Sequence, residues 1–198
     1  MGGLQPFNRS YGEMISTDAP GVAVDQAFDA HMQISATNAT AASATGIHSG
    51  IALTSATQTI TAAFTNPSVP RAMSITGNQA GVTGNVVITG TNFANAVITE
   101  TLAANGATEV DGAKAFKTIT QVVVPVLVGA GDSISIGFTE KIGIPYLLPH
   151  NTVLNAYLNN VKESTAPTVT TSATAIESNT IKLNSTLNGS VVDIYLLV

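Results

Sequence analysis

The chain has no cysteine and no tryptophan. Without thiols it can build neither a disulfide framework nor a thiolate metal centre, so packing and backbone hydrogen bonds must hold the fold together. Charge is scarce too: Asp, Glu, Lys and Arg make up 10% of the 198 residues, where a soluble domain ordinarily carries about 25%. Lys and Arg number seven and the formal net charge is −5. That leaves no basic stripe to release counterions from a phosphate backbone, so nucleic acid is not an expected partner. The longest apolar run, Val122 to Val128, is interrupted by Pro125 and falls far short of the ~20 residues of a bilayer-crossing helix. No membrane partner is expected. The first residues lack the basic-then-apolar pattern of a Sec leader, and Pro6 stands where Met1-Gly2-Gly3 would need Ser or Thr to direct myristoylation. The expectation is a protein made in the cytoplasm.

What is present is 44% apolar residue content, in a chain long enough to bury about 70% of its unfolded-state surface. Thr, Ser, Asn and Ala stand where charges usually do. Such a surface suits either a β-domain with a Thr-rich solvent face or a body much of whose surface is interface.

From Gly2 to Gln26 the sequence scatters Gly, Pro, Asn and Ser with no 3.6 or 2.0 period, and reads as an extended arm over residues 1–26. Phe7, Arg9, Tyr11, Met14 and Ile15 are its candidate contacts with a neighbouring subunit or capsid, docking on the chain's own body being the alternative. Residues 27–66 read as arm-proximal strands and a loop. Met32 and Ile34 favour one strand, the small-residue stretch from Asn38 to Ser49 reads as a loop or a weak helix, and Ile51 with Leu53, then Ile60 with Phe64, give two more strands.

Residues 67–145 form the expected central domain. Runs of Val, Ile, Thr and Phe are bounded by Gly, Asn, Asp or Pro every eight to twelve residues, the signature of short strands joined by tight turns. Ile134, Ile136 and Phe138 alternate with Ser133, Ser135 and Gly137, so that strand should cross the core. Asn105-Gly106 reads as a tight hairpin turn. The fold class expected is all-β, a β-sandwich or partly open barrel. Residues 146–198 supply further strands, packing on the central domain or on a neighbouring subunit. Thr152 to Leu158 favours strand over the competing helical stripe of Val153, Leu154, Tyr157, Leu158 and Val161. The final run, Val191 to Val198, is apolar on both faces, and should lie centrally in a sheet or pair with another chain.

The succession NPSVPRAMSITGN (66–78), GNVVITGTN (84–92), ITETL (98–102), GAKAFKTIT (112–120) and SISIGFTEKIGIP (133–145) resembles a family of virion structural proteins of tailed bacteriophages. The ending NTIKLNSTLNGSVVDIYLLV (179–198) is similar to the ends of its members, so the resemblance runs from Pro67 to Val198. It implies a place in the virion, as a head decoration (cement) protein that contacts the major capsid protein and assembles as a homo-oligomer, a trimer. It carries over no catalytic or ligand-binding residue.

The motif residues themselves read as structural. Pro67 and Pro70 fix φ and turn the chain into Arg71, which either clamps backbone carbonyls or a carboxylate or lies exposed. Phe116 and Phe138 bring large apolar area to an aromatic-poor core. His31, His48 and His150 are widely separated, and none sits at metal-ligand spacing. Asp132, after Gly129-Ala130-Gly131, is a lone acid in a turn, which does not make a calcium loop. No nucleophile, zinc or phosphate-loop motif occurs, so no catalytic residue, metal or cofactor is expected. The sequons at Asn8, Asn38, Asn184 and Asn188 are what an Asn- and Thr-rich chain gives by chance. A non-enzymatic capsid decoration protein is the leading expectation. A tail, neck or collar component is the alternative, and a carbohydrate-binding or adhesive β-module a further one.

Overall fold

The structure, a computed structural model, describes residues 15–16, 20, 23–24 and 27–198. The β-branched runs become strands: β1 (Ile15–Ser16), β2 (Ala23–Val24), β3 (Asp29–Ile34), β4 (Ser43–Ala52), β5 (Gln58–Ile60), β6 (Arg71–Gly77), β7 (Thr83–Thr91) and β8 (Val97–Asn105). They continue with β9 (Val110–Phe116), β10 (Thr118–Val124), β11 (Ser133–Gly143), β12 (Val153–Leu158), β13 (Val161–Lys162), β14 (Thr168–Thr170), β15 (Thr180–Lys182) and β16 (Val192–Leu197). A 3-10 turn at Ile176–Ser178 is the one helical piece among the described residues.

Strand β11 is the spine. Along one edge it pairs antiparallel with β6, from Ile134↔Gly77 to Ile142↔Arg71; along the other it pairs with β4 through Phe138 and then with β15 at Ile142 and Gly143. Strand β9 extends the sheet beyond β6, and β14 beyond β15. A second sheet, ordered β5-β10-β7-β8, faces it. Met73, Ile75, Ile134 and Ile136 meet Val86, Ile88, Leu102, Val122 and Val124 between them, with Phe116 in the same core. The all-β sandwich or partly open barrel is thus what is seen, as curled open sheets forming half a barrel.

One margin of that half-barrel is closed by side chains. The Glu100 carboxylate on β8 accepts the N–H groups of Ala113 (2.7 Å) and Lys114 (3.3 Å) on β9. In return, Lys114 Nζ donates to the Thr99 carbonyl at 2.8 Å. Two facing edges that would otherwise expose unpaired backbone groups are satisfied this way.

A third sheet, ordered β13-β12-β16-β3, covers the lower end of β11. Ile34, Ala156, Val192, Ile194 and Leu196 pack there against Ile142, Ile144, Leu148, Ile181, Leu183 and Leu187, forming a second core. Strand β11 therefore serves both cores, Ile134 and Ile136 in the first and Ile142 in the second. The doubly apolar last strand, β16, lies between β12 and β3. The strands of 27–66 divide between the two bodies: β3 joins the third sheet, while β4 and β5 join the central one.

Two expectations need correction. The stretch from Asn38 to Ser49, expected as loop or weak helix, contains most of the ten-residue β4. Its small side chains are those of a strand pressed close to its neighbour: a Cβ on Gly137 would meet the Ser43 carbonyl and Ala44 backbone, and one on Gly46 would meet the Phe138 ring. Asn105-Gly106 does open a tight turn, with Gly106 at φ 61°, the Thr108 N–H donating to the Asn105 carbonyl at 3.1 Å and an antiparallel bridge between those two residues, but the pairing stops at that bridge because β8 and β9 lie in different sheets. It is a corner, fixed where the Gly106 N–H donates to Val82 (2.8 Å) and its carbonyl accepts from Gly77 (3.0 Å). A tight hairpin does occur at Asn159-Asn160, both with positive φ (52° and 61°), joining β12 to β13.

Candidate interaction face

Pro67, Pro70, Arg71, Phe116 and Phe138 all bear on the start of β6. Both prolines are half-buried, and the Pro70 carbonyl accepts the Gly143 N–H at 2.8 Å, fastening the entry of β6 to the end of β11. Arg71, paired with Phe116 across to β9, is fully buried. Its Nη2 donates to the Asn38 carbonyl at 3.3 Å, and its guanidinium carbon stands 5.1 Å from the centre of the Phe138 ring, a cation–π contact. Nε and Nη1 have no hydrogen-bond partner among the described residues. Burial lowers the Arg71 pKa from its ordinary value to about 10, and Glu140 opposes the shift, so the group stays cationic at neutral pH. Phe116 is fully buried in the first core and Phe138 packs partly buried against it. This group is enclosed, and what it does is hold β6, β11 and the 35–40 turn together.

Asp132 is a turn holder. Its Oδ2 accepts the N–H groups of Gly129 (2.6 Å) and Val128 (3.0 Å), and its Oδ1 accepts from Gln79 (3.2 Å). The three histidines lie on β3, on β4 and in the loop before β12. Among the described residues no group of three His, Cys, Asp or Glu could hold a metal ion. Phe7, Arg9, Tyr11 and Met14 lie outside the described residues. Ile15 lies in β1, opposite Val24 of β2.

The outer face of the third sheet concentrates what chemistry the chain has. Alternation along β3 and β16 turns Ile34, Val192, Ile194 and Leu196 inward, and Asp29, His31, Gln33 and Tyr195 outward. The register sets His31 beside Tyr195 and Gln33 beside Asp193, with Tyr157 of β12 on the far side of Asp193. The His31 ring stacks on Tyr195 at 4.6 Å and 4°, and Tyr157 meets Tyr195 edge-on at 5.8 Å and 84°. Asp193, 7% exposed, accepts from Gln33 Nε2 at 2.8 Å, and the same Oδ1 lies 2.7 Å from His31 Nε2. A shallow depression of about 420 Å³ opens between Asp29, His31, Leu154, Tyr157 and Tyr195. Sequence reading missed this face because Asp193 and Tyr195 sit inside an apolar run, and their partners on β3 lie 160 or more positions away.

Gln33's hydrogen bond, and then His31, hold the Asp193 carboxyl below its usual 3.8, against the opposing effect of burial. A depressed folded-state value means that the stabilisation is fully present above the unfolded value and is lost as pH falls through the folded one. Asp193→Asn should therefore cost about 1–2 kcal/mol at pH 7, and the two proteins should converge in stability as pH drops below 3.8. Urea unfolding at a series of pH values reads this. A constant difference down to pH 2 would mean that the carboxylate charge is irrelevant.

Compared with family models, curated proteins and solved structures, the chain finds no match.

Proposed function

We propose that this chain is a non-enzymatic structural protein of a tailed-phage particle, and within the particle a decoration protein that binds the outer head surface through the major capsid protein. The observation that carries the reading is the ordered succession of segments from Asn66 to Val198 that resembles such proteins. Those segments coincide with β6, β7, β8, β9, β10, β11, β15 and β16, the strands that build both cores. The likeness is thus one of scaffold, as suits a protein whose work is contact. A surface of Thr, Ser and Asn with 10% charge adds support, since it can be covered by neighbours at a low desolvation cost. Many such modules on one shell make modest contacts add through effective concentration.

The test is co-sedimentation of the purified protein with empty heads that lack it, in parallel with isolated tails. Saturable binding to heads, at a copy number comparable with the major capsid protein, is the expected result. Binding confined to tails, at a single ring's worth of copies, would move the protein to the tail, neck or collar. The stacked His31 and Tyr195, with Tyr157 edge-on beside them on an open sheet face, favour one other reading, a carbohydrate-binding or adhesive module. That reading would prevail if the protein ignored heads and tails and bound bacterial envelope glycan.

A further inference from the structure

Every sheet has edges, and an unpaired edge is a template for another strand unless something blunts it. Most edges here are blunted. Strands β5, β13 and β14 are two or three residues long; β13 ends in Lys162 and β14 follows Pro167. Strand β4 breaks register twice against β11 and carries Gly50 at φ 57°. Two of its carbonyls, Ile47 and Ala52, are already taken by the Thr65 N–H and the Gln58 side chain. Strands β8 and β9 close on each other through Glu100 and Lys114.

Strand β3 differs. It runs six residues without Gly, Pro or Lys, keeps one register against β16 throughout, and pairs with β16 alone among the described residues. Phe28 and Val198 exchange both backbone bonds at 2.9 Å, which fixes the phase of the ladder. Alternation then directs the N–H and C=O of Ala30, Met32 and Ile34 to β16, and those of Asp29, His31 and Gln33 outward. The outward residues are also those whose side chains face solvent.

We infer that the outward edge of β3, unpaired among the described residues, is a self-pairing surface, on which β3 of a second copy adds antiparallel about a two-fold axis. Matching inner and outer faces across the seam requires odd residues to oppose odd residues. Centring the axis on His31 sets His31 against its own copy and Asp29 against Gln33, a carboxylate opposite an amide, with about six backbone hydrogen bonds across the seam. Parallel pairing in register would instead set Asp29 beside Asp29. Avoidance of a like-charged Asp29 pair thus selects the two-fold arrangement, which is isologous and closes. The two four-stranded sheets become one of eight, and the Tyr195 and His31 rows of both copies run on as one outer surface. This inference stands on the geometry of β3 and not on the virion reading.

Sedimentation equilibrium of the full chain, with amide hydrogen exchange on the same samples, tests it. The expected mass is twice 20.1 kDa, with the amides of Asp29, His31 and Gln33 protected in a concentration-dependent way. His31→Pro removes an outward N–H and spares the bonds to β16, so it should halve the mass; His31→Ala loses the same side-chain contacts but keeps the edge and should stay dimeric. A wild-type monomer or trimer, a dimer whose three outward amides exchange freely, or a dimeric His31→Pro would overturn the inference. Should His31→Pro fail to fold, exchange in the wild type decides alone.

Discussion

Arg71→Ala is expected to lower the unfolding free energy by about 3 kcal/mol, and Arg71→Met by less than about 1 kcal/mol. Arg71 is among the largest fully buried side chains and fills the space between β6 and Phe138. Truncation to Ala opens a cavity and removes one of two donors from the Asn38 carbonyl, which keeps the Ser68 hydroxyl at 2.9 Å. Met restores most of the volume. It loses the cation–π contact, but it also removes a buried charge that has one hydrogen bond of 3.3 Å and two polar nitrogens without partners. Equal losses for Ala and Met in denaturant unfolding would show that the charge itself stabilises the fold. The lowered pKa has a sign as well. From about pH 10 upward the folded chain releases a proton that the unfolded chain still binds, so Arg71 makes stability rise with pH there, a contribution absent from Arg71→Met.

Gly137→Ala should be at least as damaging, about 3 kcal/mol or more, while Gly81→Ala should be neutral or slightly stabilising. At Gly137 the added Cβ would be driven into the Ser43 carbonyl and the Ala44 backbone, which cannot yield without parting β4 from β11. At Gly81 a Cβ meets nothing within 4 Å, and the substitution only reduces the freedom of the unfolded chain. Thermal unfolding of the two variants side by side separates these cases. A Gly137→Ala protein as stable as the wild type would mean that β4 is not held close to β11.

These two sites show what the sequence could reveal. The alternation of Ile134 and Ile136 announced a strand in the first core, and the doubly apolar Val191 to Val198 announced a strand placed centrally in its sheet. Both follow from local pattern, because burial on one or two faces writes itself into every second residue. Strand β4 was illegible because the demand on its residues is smallness, imposed by a partner some ninety positions away at Gly137, and smallness alone also suits loops. The corner at Asn105-Gly106 carries a hairpin's residues, and only the nine-residue pairing of β8 with β7 reveals that the chain leaves the sheet there. Arg71 was visible as a candidate clamp, but its burial depends on Asn38 and Phe138, distant from it in sequence, both meeting it in the fold. The His31, Asp193 and Tyr195 face had no local signal: each residue is unremarkable on its strand, and only the β3 to β16 register assembles them.

The measurement that bears most directly on the proposed virion role is the copy number of this chain in virus particles purified from the source of its gene, by quantitative mass spectrometry against the major capsid protein, with heads and tails separated. The account predicts that it fractionates with heads, at a ratio near that of the capsid protein. Its absence from particles, or recovery only with tails at a ring's stoichiometry, would contradict it.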